Sequence, residues 1–277
     1  MLIHHTSLEI KDSTSLSGRR PGYLFLVADG LGGPPAGEEA SRLAVDSVIK
    51  TVLGTMPWFF RQEDHEVDLE EELKEVLRRC QSSIDADALE NPSRVGMATT
   101  LTMAYVTWPR LYVVHVGDCR AYLFRGTDLT QITEDHTVAQ ALPTGGGTAS
   151  PFRITLWNVL GGKSPDVSPA VYKATLEDQD VILLATDGLT HEVPAEKLAT
   201  ILKTSATAST AVTELISAAN DAGGRDNVTV VVARFGSREG RGETTVRAAA
   251  AEIVPEQHQG AADPAAPAIL PLPAVGP

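Results

Sequence analysis

The stretch Tyr23-Leu-Phe-Leu-Val-Ala28 is an unbroken apolar run that stops on a carboxylate, Asp29, followed by Gly30, Leu31, Gly32 and Gly33. An apolar run with aromatic and β-branched members, closed by glycine, predicts a strand buried on both faces, since neither face offers a polar residue to water. Asp29 then stands at the end of a rigid element and looks into a loop whose glycines let backbone approach a ligand closely. The design recurs downstream. Val181-Ile-Leu-Leu-Ala185 leads through Thr186 to Asp187-Gly188-Leu189, and Gly223-Gly-Arg-Asp226-Asn227 sets an acid just ahead of Val228-Thr-Val-Val-Val232. Three aspartates at three strand ends point to one shared metal site.

With 277 residues, 43% of them hydrophobic, the chain has room for one large domain or two small ones. Its net charge of −13, from 23 basic against 36 acidic residues, and the lack of any basic block argue against a nucleic-acid or anionic-membrane surface. An anionic substrate would be repelled unless a bound cation reversed the local field. Cys80 and Cys119 give neither a disulfide framework nor paired zinc ligands, and both are expected as small buried hydrophobes. The first residues lack the basic start and apolar core of a signal peptide, and no run reaches the length of a membrane helix, so a soluble cytoplasmic protein is expected.

Helical spacing of apolar residues predicts helices over Glu38–Leu53 and Asp68–Leu89, the second with acids crowding its first turns. The residues between them carry Trp58, Phe59 and Phe60, expected to cover an edge of the core. After Asn91-Pro92 the runs Met97–Thr107, Leu111–Val116, Cys119–Phe124 and Leu129–Ile132 read as an antiparallel meander with turns at Trp108-Pro109, Gly117-Asp118 and Arg125-Gly126. Residues 137–162 read as a surface excursion. Leu176–Ala185 is expected to return to the sheet, Pro194–Lys203 and Ser209–Ala222 to form two more helices, and Val228–Phe235 the last strand. Antiparallel strands with one early and one late pair of helices predict an α+β fold, a two-sheet sandwich with helices on both outer faces. Residues 1–236 are read as this domain. The stretch 237–277, rich in Ala, Pro and Gly, lacks the periodic apolar residues that offset ordering entropy and is read as a disordered tail.

Six motifs stand in order along the chain: Val27-Ala-Asp-Gly-Leu-Gly-Gly33, Gly96-Met-Ala-Thr-Thr100, His115-Val-Gly-Asp-Cys-Arg-Ala-Tyr-Leu123, Thr133-Glu-Asp-His136, Thr186-Asp-Gly-Leu189 and Gly224-Arg-Asp-Asn227. In that order they resemble the metal-dependent Ser/Thr protein phosphatases of type 2C, the PPM family, in its bacterial form. The resemblance implies a four-layer αββα sandwich and hydrolysis of phosphoserine and phosphothreonine by a metal-activated water. It implies Mn²⁺ or Mg²⁺ as cofactor, two ions held by Asp29, the Gly30 carbonyl, Asp187 and Asp226, which suits the preference of these hard cations for oxygen donors. Asn227 is expected to steady Asp226 or its loop. Asp118 matches a position that helps bind a third ion in some bacterial members, with a hairpin turn as its other reading; His191 stands near where a partner acid often follows. His115 and His136 are expected as hydrogen-bonded structural residues. The partners implied are phosphorylated proteins, a Ser/Thr kinase or its targets, without nucleic acid or membrane.

The start departs from the family pattern. Active members carry an early Arg that grips phosphate, then an acidic motif for the second metal. Either Ile10-Lys11-Asp12-Ser13 is its degenerate remnant, or residues 1–7 already follow the motif and the first strand is missing; the second reading is preferred. In the first case residues 3–12 would pair beside Tyr23–Ala28 and bring Glu9 or Asp12 toward Asp29. Pro34 replaces a His frequent in the glycine loop, Ala98 a Gly, and residues 140–157 look shorter than the flap that usually lies beside the site. An active phosphatase is the leading expectation. The alternative is a catalytically impaired binding or regulatory module with one metal, and a third reading has the acids bind nothing.

Overall fold

The computed structural model describes residues 22–33, 35–55, 66–141, 155–162, 167–237 and 244–253. In chain order they form β1 (Gly22–Val27), β2 (Gly30–Leu31), α1 (Ala36–Thr55), α2 (Glu66–Glu90), β3 (Ala98–Thr99), β4 (Leu101–Thr107), β5 (Arg110–Val116), β6 (Arg120–Arg125) and β7 (Asp128–Gln131). Then follow α3 (Val138–Ala141), β8 (Leu160–Gly161), β9 (Ala170–Thr175), β10 (Val181–Ala185), α4 (Asp187–Thr190), α5 (Ala195–Thr204), α6 (Ala208–Asp221), β11 (Val228–Ser237) and β12 (Thr244–Ile253).

One sheet has the order β1-β4-β5-β9, a second β12-β11-β10-β6-β7, and a small third β2-β3-β8, with antiparallel pairing throughout. Strand alternation divides the side chains between cores. In β1, Leu24 and Leu26 join the core beneath α1 and α2, while Tyr23, Phe25 and Val27 join the core between the two large sheets. In β10, Val181, Leu183 and Ala185 face α5 and α6, and Ile182 and Leu184 face the other sheet. The continuous apolar runs are therefore strands covered on both sides, and the layers are helices, sheet, sheet, helices, the αββα sandwich expected.

Three expectations need correction. The meander does not hold: β4 and β5 pair in the first sheet, β6 and β7 in the second, and the Gly117-Asp118 turn carries the chain from one sheet to the other. Gly117 makes that passage at φ +108, where a Cβ would sit 2.4 Å from Thr100 Cγ2. Leu176–Ala185 returns to the sheet as expected, its β10 lying in the middle of the second sheet, whereas β9, which closes the first sheet, ends just before it and was not foreseen. Met97–Thr107 is broken at Thr100, with Ala98–Thr99 given to the small sheet and Leu101–Thr107 to a large one. Finally, the stretch after Ser237 is not wholly without structure: Thr244–Ile253 adds a strand that pairs with β11 over ten residues. The aromatic connection at residues 56–65, most of the excursion at 142–154, and the start with Glu9 and Asp12 lie outside the described residues. Among the described residues β1 is the outer strand of its sheet.

Candidate metal centre

Strand pairing decides which acids meet. β10 lies between β6 and β11, with Ala185 opposite both Arg120 and Val230. Its end, leading through Thr186 to Asp187, therefore comes beside the starts of those two strands, where Asp118 and Asp226 stand. β1 packs across the sandwich on β10 and β11 and ends in Asp29. Acids from both sheets thus gather at one end of the sandwich.

The backbone around them is tied down. The Asp29 carbonyl accepts from the Thr100 main-chain N–H at 2.8 Å and from Thr99 Oγ1 at 2.8 Å, and Asp29 N–H donates to Thr100 Oγ1 at 3.1 Å. Thr100 Oγ1 also lies 3.0 Å from Cys119 Sγ. Gly30 packs on Gly37 so closely that a Cβ would stand 2.0 Å from the Gly37 carbonyl oxygen, so only glycine lets α1 begin there. On the other sheet Thr186 N–H donates to Thr229 O at 3.1 Å, and Thr229 N–H returns the bond to Thr186 Oγ1 at 3.0 Å. Asn227 steadies Asp226 through its backbone: its N–H donates to Asp226 Oδ1 at 2.7 Å, while its own side-chain Oδ1 is buried without a partner.

Burial pushes the Asp29 carboxyl well above the usual carboxylate range, and the charges of Asp187, Asp226 and Asp118 and a hydrogen bond shared with Asp187 push it further. Asp118 is pushed up in the same direction, by burial first and then by Asp187 and Asp135. Asp187 Oδ1 is buried, and no N–H or O–H donor reaches it. The Asp29–Asp187 contact is carboxyl to carboxyl, so it is favourable only with a proton or a cation between them. Among the described residues no three His, Cys, Asp or Glu side chains converge on one point as a ready ligand set. Asp29 and Asp187 are the pair in contact, with Asp226 and Asp118 within electrostatic reach. Hard oxygen donors, an orphaned carboxylate oxygen and mutual repulsion fit a Mn²⁺ or Mg²⁺ ion, which would replace the shared proton.

Around this centre lie residues whose sequence signal was weaker. The His115 and His136 rings lie 4.7 Å apart between centroids, tilted by 41°, and both are buried. His115 bonds Thr102 Oγ1 and the Glu134 carbonyl, and His136 Nδ1 accepts the Gly117 N–H at 3.1 Å, so both brace the turn that carries Asp118. Burial lowers them to about 3 and about 4, which keeps them neutral. Arg120 grips Asp135 through both nitrogens of its fork, at 2.9 and 2.7 Å. His191 Nδ1 stands 3.5 Å from Asp187 Oδ2. The Thr99-Thr100 clamp and the Cys119 contact were not foreseen as supports of Asp29; their only trace in the sequence was membership of the ordered motifs.

Residues 4–229 match the family model described as Protein phosphatase 2C. The chain belongs to that family. It is 35% identical over 216 residues to the serine/threonine protein phosphatase PstP of Mycobacterium tuberculosis, covering 76% of this chain and 40% of that protein. It is 31% identical over 215 residues to the serine/threonine phosphatase stp of Listeria welshimeri, covering 76% of this chain and 83% of that one. The phosphatase 2C chain thus spans well under half the length of the mycobacterial relative and most of the listerial one. Among solved structures it is similar to the catalytic domain of PstP in complex with two manganese ions, with TM-score 0.66, 32% identity, and coverage of 80% of this chain and 94% of that one. Among the described residues of this family member, no helix is long and apolar enough to cross a membrane.

Proposed function

We propose that this phosphatase 2C chain hydrolyses phosphoserine and phosphothreonine in proteins, using Mn²⁺ or Mg²⁺ held by Asp29, the Gly30 carbonyl, Asp187 and Asp226, with Asp118 available to a further ion. The observation that carries this reading is the Asp29–Asp187 contact with its orphaned carboxylate oxygen, at the end where both sheets deliver acids. When bound, such ions bring a water toward neutral pKa and neutralise phosphate oxygens during in-line attack. The chain's own residues do the rest. Thr99 and Thr100 fix the Asp29 main chain, so its carboxylate is aimed before any ligand arrives. The Asn227 N–H orients Asp226. The neutral His115–His136 pair holds the Asp118 turn without adding positive charge. A protein of net charge −13 needs the cations to accept an anionic substrate at all. Its partners are phosphorylated proteins, a Ser/Thr kinase or the targets of one, met in the cytoplasm.

Purified protein should hydrolyse p-nitrophenyl phosphate and a phosphothreonine peptide with Mn²⁺ and stop in EDTA. Asp187→Asn should abolish turnover, and an unaffected rate in that variant would sink the assignment. Calorimetric titration with Mn²⁺ separates the enzyme from a one-metal binding module, because two sites belong to the first and a single weak site to the second.

A further inference from the structure

Glu192 and Arg225 lie on the two loops that supply Asp187 and Asp226, and they grip each other. Arg225 Nε donates to Glu192 Oε1 at 2.8 Å and Nη2 to Oε2 at 2.9 Å, a fork-on-carboxylate pair bridging 33 residues of chain. The partners differ in surroundings: the Arg225 side chain is 76% exposed, whereas that of Glu192 is 6% exposed. Exposed ion pairs are worth little, but a buried carboxylate is costly to leave unpaired, so the guanidinium has a reason to stay where Glu192 holds it.

Each end is stiffly linked to a candidate ligand. Asp187 opens α4, and the turn that follows is closed by His191 N–H to Asp187 O at 2.8 Å and Glu192 N–H to Leu189 O at 3.2 Å, so Glu192 has a fixed position relative to Asp187. Arg225 directly precedes Asp226, whose carboxylate is pinned by Asn227 N–H at 2.7 Å. The loop between α6 and Arg225 is anchored at its start by Gly223 N–H to Asn220 O and Gly224 N–H to Ala219 O, both 3.1 Å. Between two clusters of carboxylates that repel one another, a tie across the loops opposes their separation.

We infer that Arg225 and Glu192 form a clasp that holds the Asp187 and Asp226 loops at the spacing a bound cation needs, acting as positioning residues for the metal. The inference rests on the phosphatase reading, and it makes a prediction of sign. As a mere charge, Arg225 repels a nearby cation, so its removal would tighten Mn²⁺ binding. As a clasp, its removal loosens the site and weakens binding.

The test is calorimetric titration of Mn²⁺ into the full metal-free chain, at a temperature where circular dichroism shows each variant folded. Arg225→Ala should weaken Mn²⁺ binding by about tenfold or more, the range typical when a residue supporting a metal ligand is removed. Arg225→Lys, which keeps the charge and loses the fork, should fall between, and it carries the test alone if Arg225→Ala does not fold. Unchanged or tighter binding in these variants, beside a wild-type chain that binds Mn²⁺, overturns the clasp and leaves the phosphatase reading intact. A wild-type chain that takes up no Mn²⁺ fails that reading and the clasp with it.

Discussion

Asp29 and Thr100 exchange two hydrogen bonds: the Thr100 main-chain N–H donates to the Asp29 carbonyl at 2.8 Å, and the Asp29 N–H donates to the Thr100 hydroxyl at 3.1 Å. One threonine thus satisfies both main-chain groups of the aspartate just past the end of β1, where the ladder to β4 no longer does so. Thr100→Val keeps the shape of the side chain and leaves the Asp29 N–H without its acceptor, at a cost of about 1 to 3 kcal/mol. Mn²⁺ affinity, turnover and Tm should all fall in that variant, whereas Thr100→Ser, which keeps the hydroxyl, should retain most of each. Titration calorimetry and scanning calorimetry read the outcome; wild-type Mn²⁺ affinity in Thr100→Val would show that Asp29 does not depend on this bond.

The carboxylate cluster should make the metal-free protein less stable as pH rises. Folding raises Asp29 and Asp118 above the ordinary carboxylate value, so their contribution is fully present below the unfolded value, about 4, and is lost as pH climbs through the raised folded values. Metal-free Tm should therefore carry a downward component with increasing pH above about 4, reduced in Asp29→Asn, absent in the Asp29→Asn, Asp118→Asn double variant and removed by saturating Mn²⁺. Asp29→Asn should also melt higher than wild type at neutral pH while losing Mn²⁺ binding. Equal metal-free melting of the two proteins across pH would contradict the repulsion.

The buried histidines act with the opposite sign. His115 is lowered to about 3 and His136 to about 4, against an ordinary value of about 6.5. Below the ordinary value the unfolded chain takes up protons that the folded chain refuses, so stability is lost as pH falls from about 6.5 toward those lowered values. Measured in an Asp29→Asn, Asp118→Asn background, which removes the opposing carboxylates, Tm should drop over that range. His115→Gln should make the drop shallower, and an identical slope would mean that His115 is not held neutral.

The strand β12 should matter for solubility as well as stability. It pairs with β11 over ten residues, and its alanines Ala249, Ala250 and Ala251 pack alternately toward the two cores flanking the sheet. A chain ending at Ser237 would expose the long apolar edge of β11 to other molecules. Lower Tm and concentration-dependent association by light scattering are expected for that truncation. A monomer of unchanged Tm would show that β12 contributes nothing.

The apolar runs by themselves determined β1 and β10 as strands covered on both sides, because Tyr23–Ala28 and Val181–Ala185 leave no face to water. Helical periodicity placed α1 and α2 to within a few residues, and the acids at strand ends were legible because an apolar run stops visibly on Asp-Gly. What the sequence could not carry was partnership. A turn such as Gly117-Asp118 has the same composition whether it closes a hairpin or carries the chain to the other sheet, and only packing of β6 against β10 chose the crossover. Strand β12 was hidden because alanine has little preference for strands; the open backbone of β11 supplied what the side chains did not signal. A shared site for Asp29, Asp187 and Asp226 was expected from the acids at strand ends, but the way they and Asp118 meet was decided by tertiary structure, since it follows from the register of β10 between β6 and β11 and from the packing of β1 across the sandwich. Local sequence sets the residues a strand end presents, whereas which strand ends become neighbours is a property of cores formed between residues far apart in the chain.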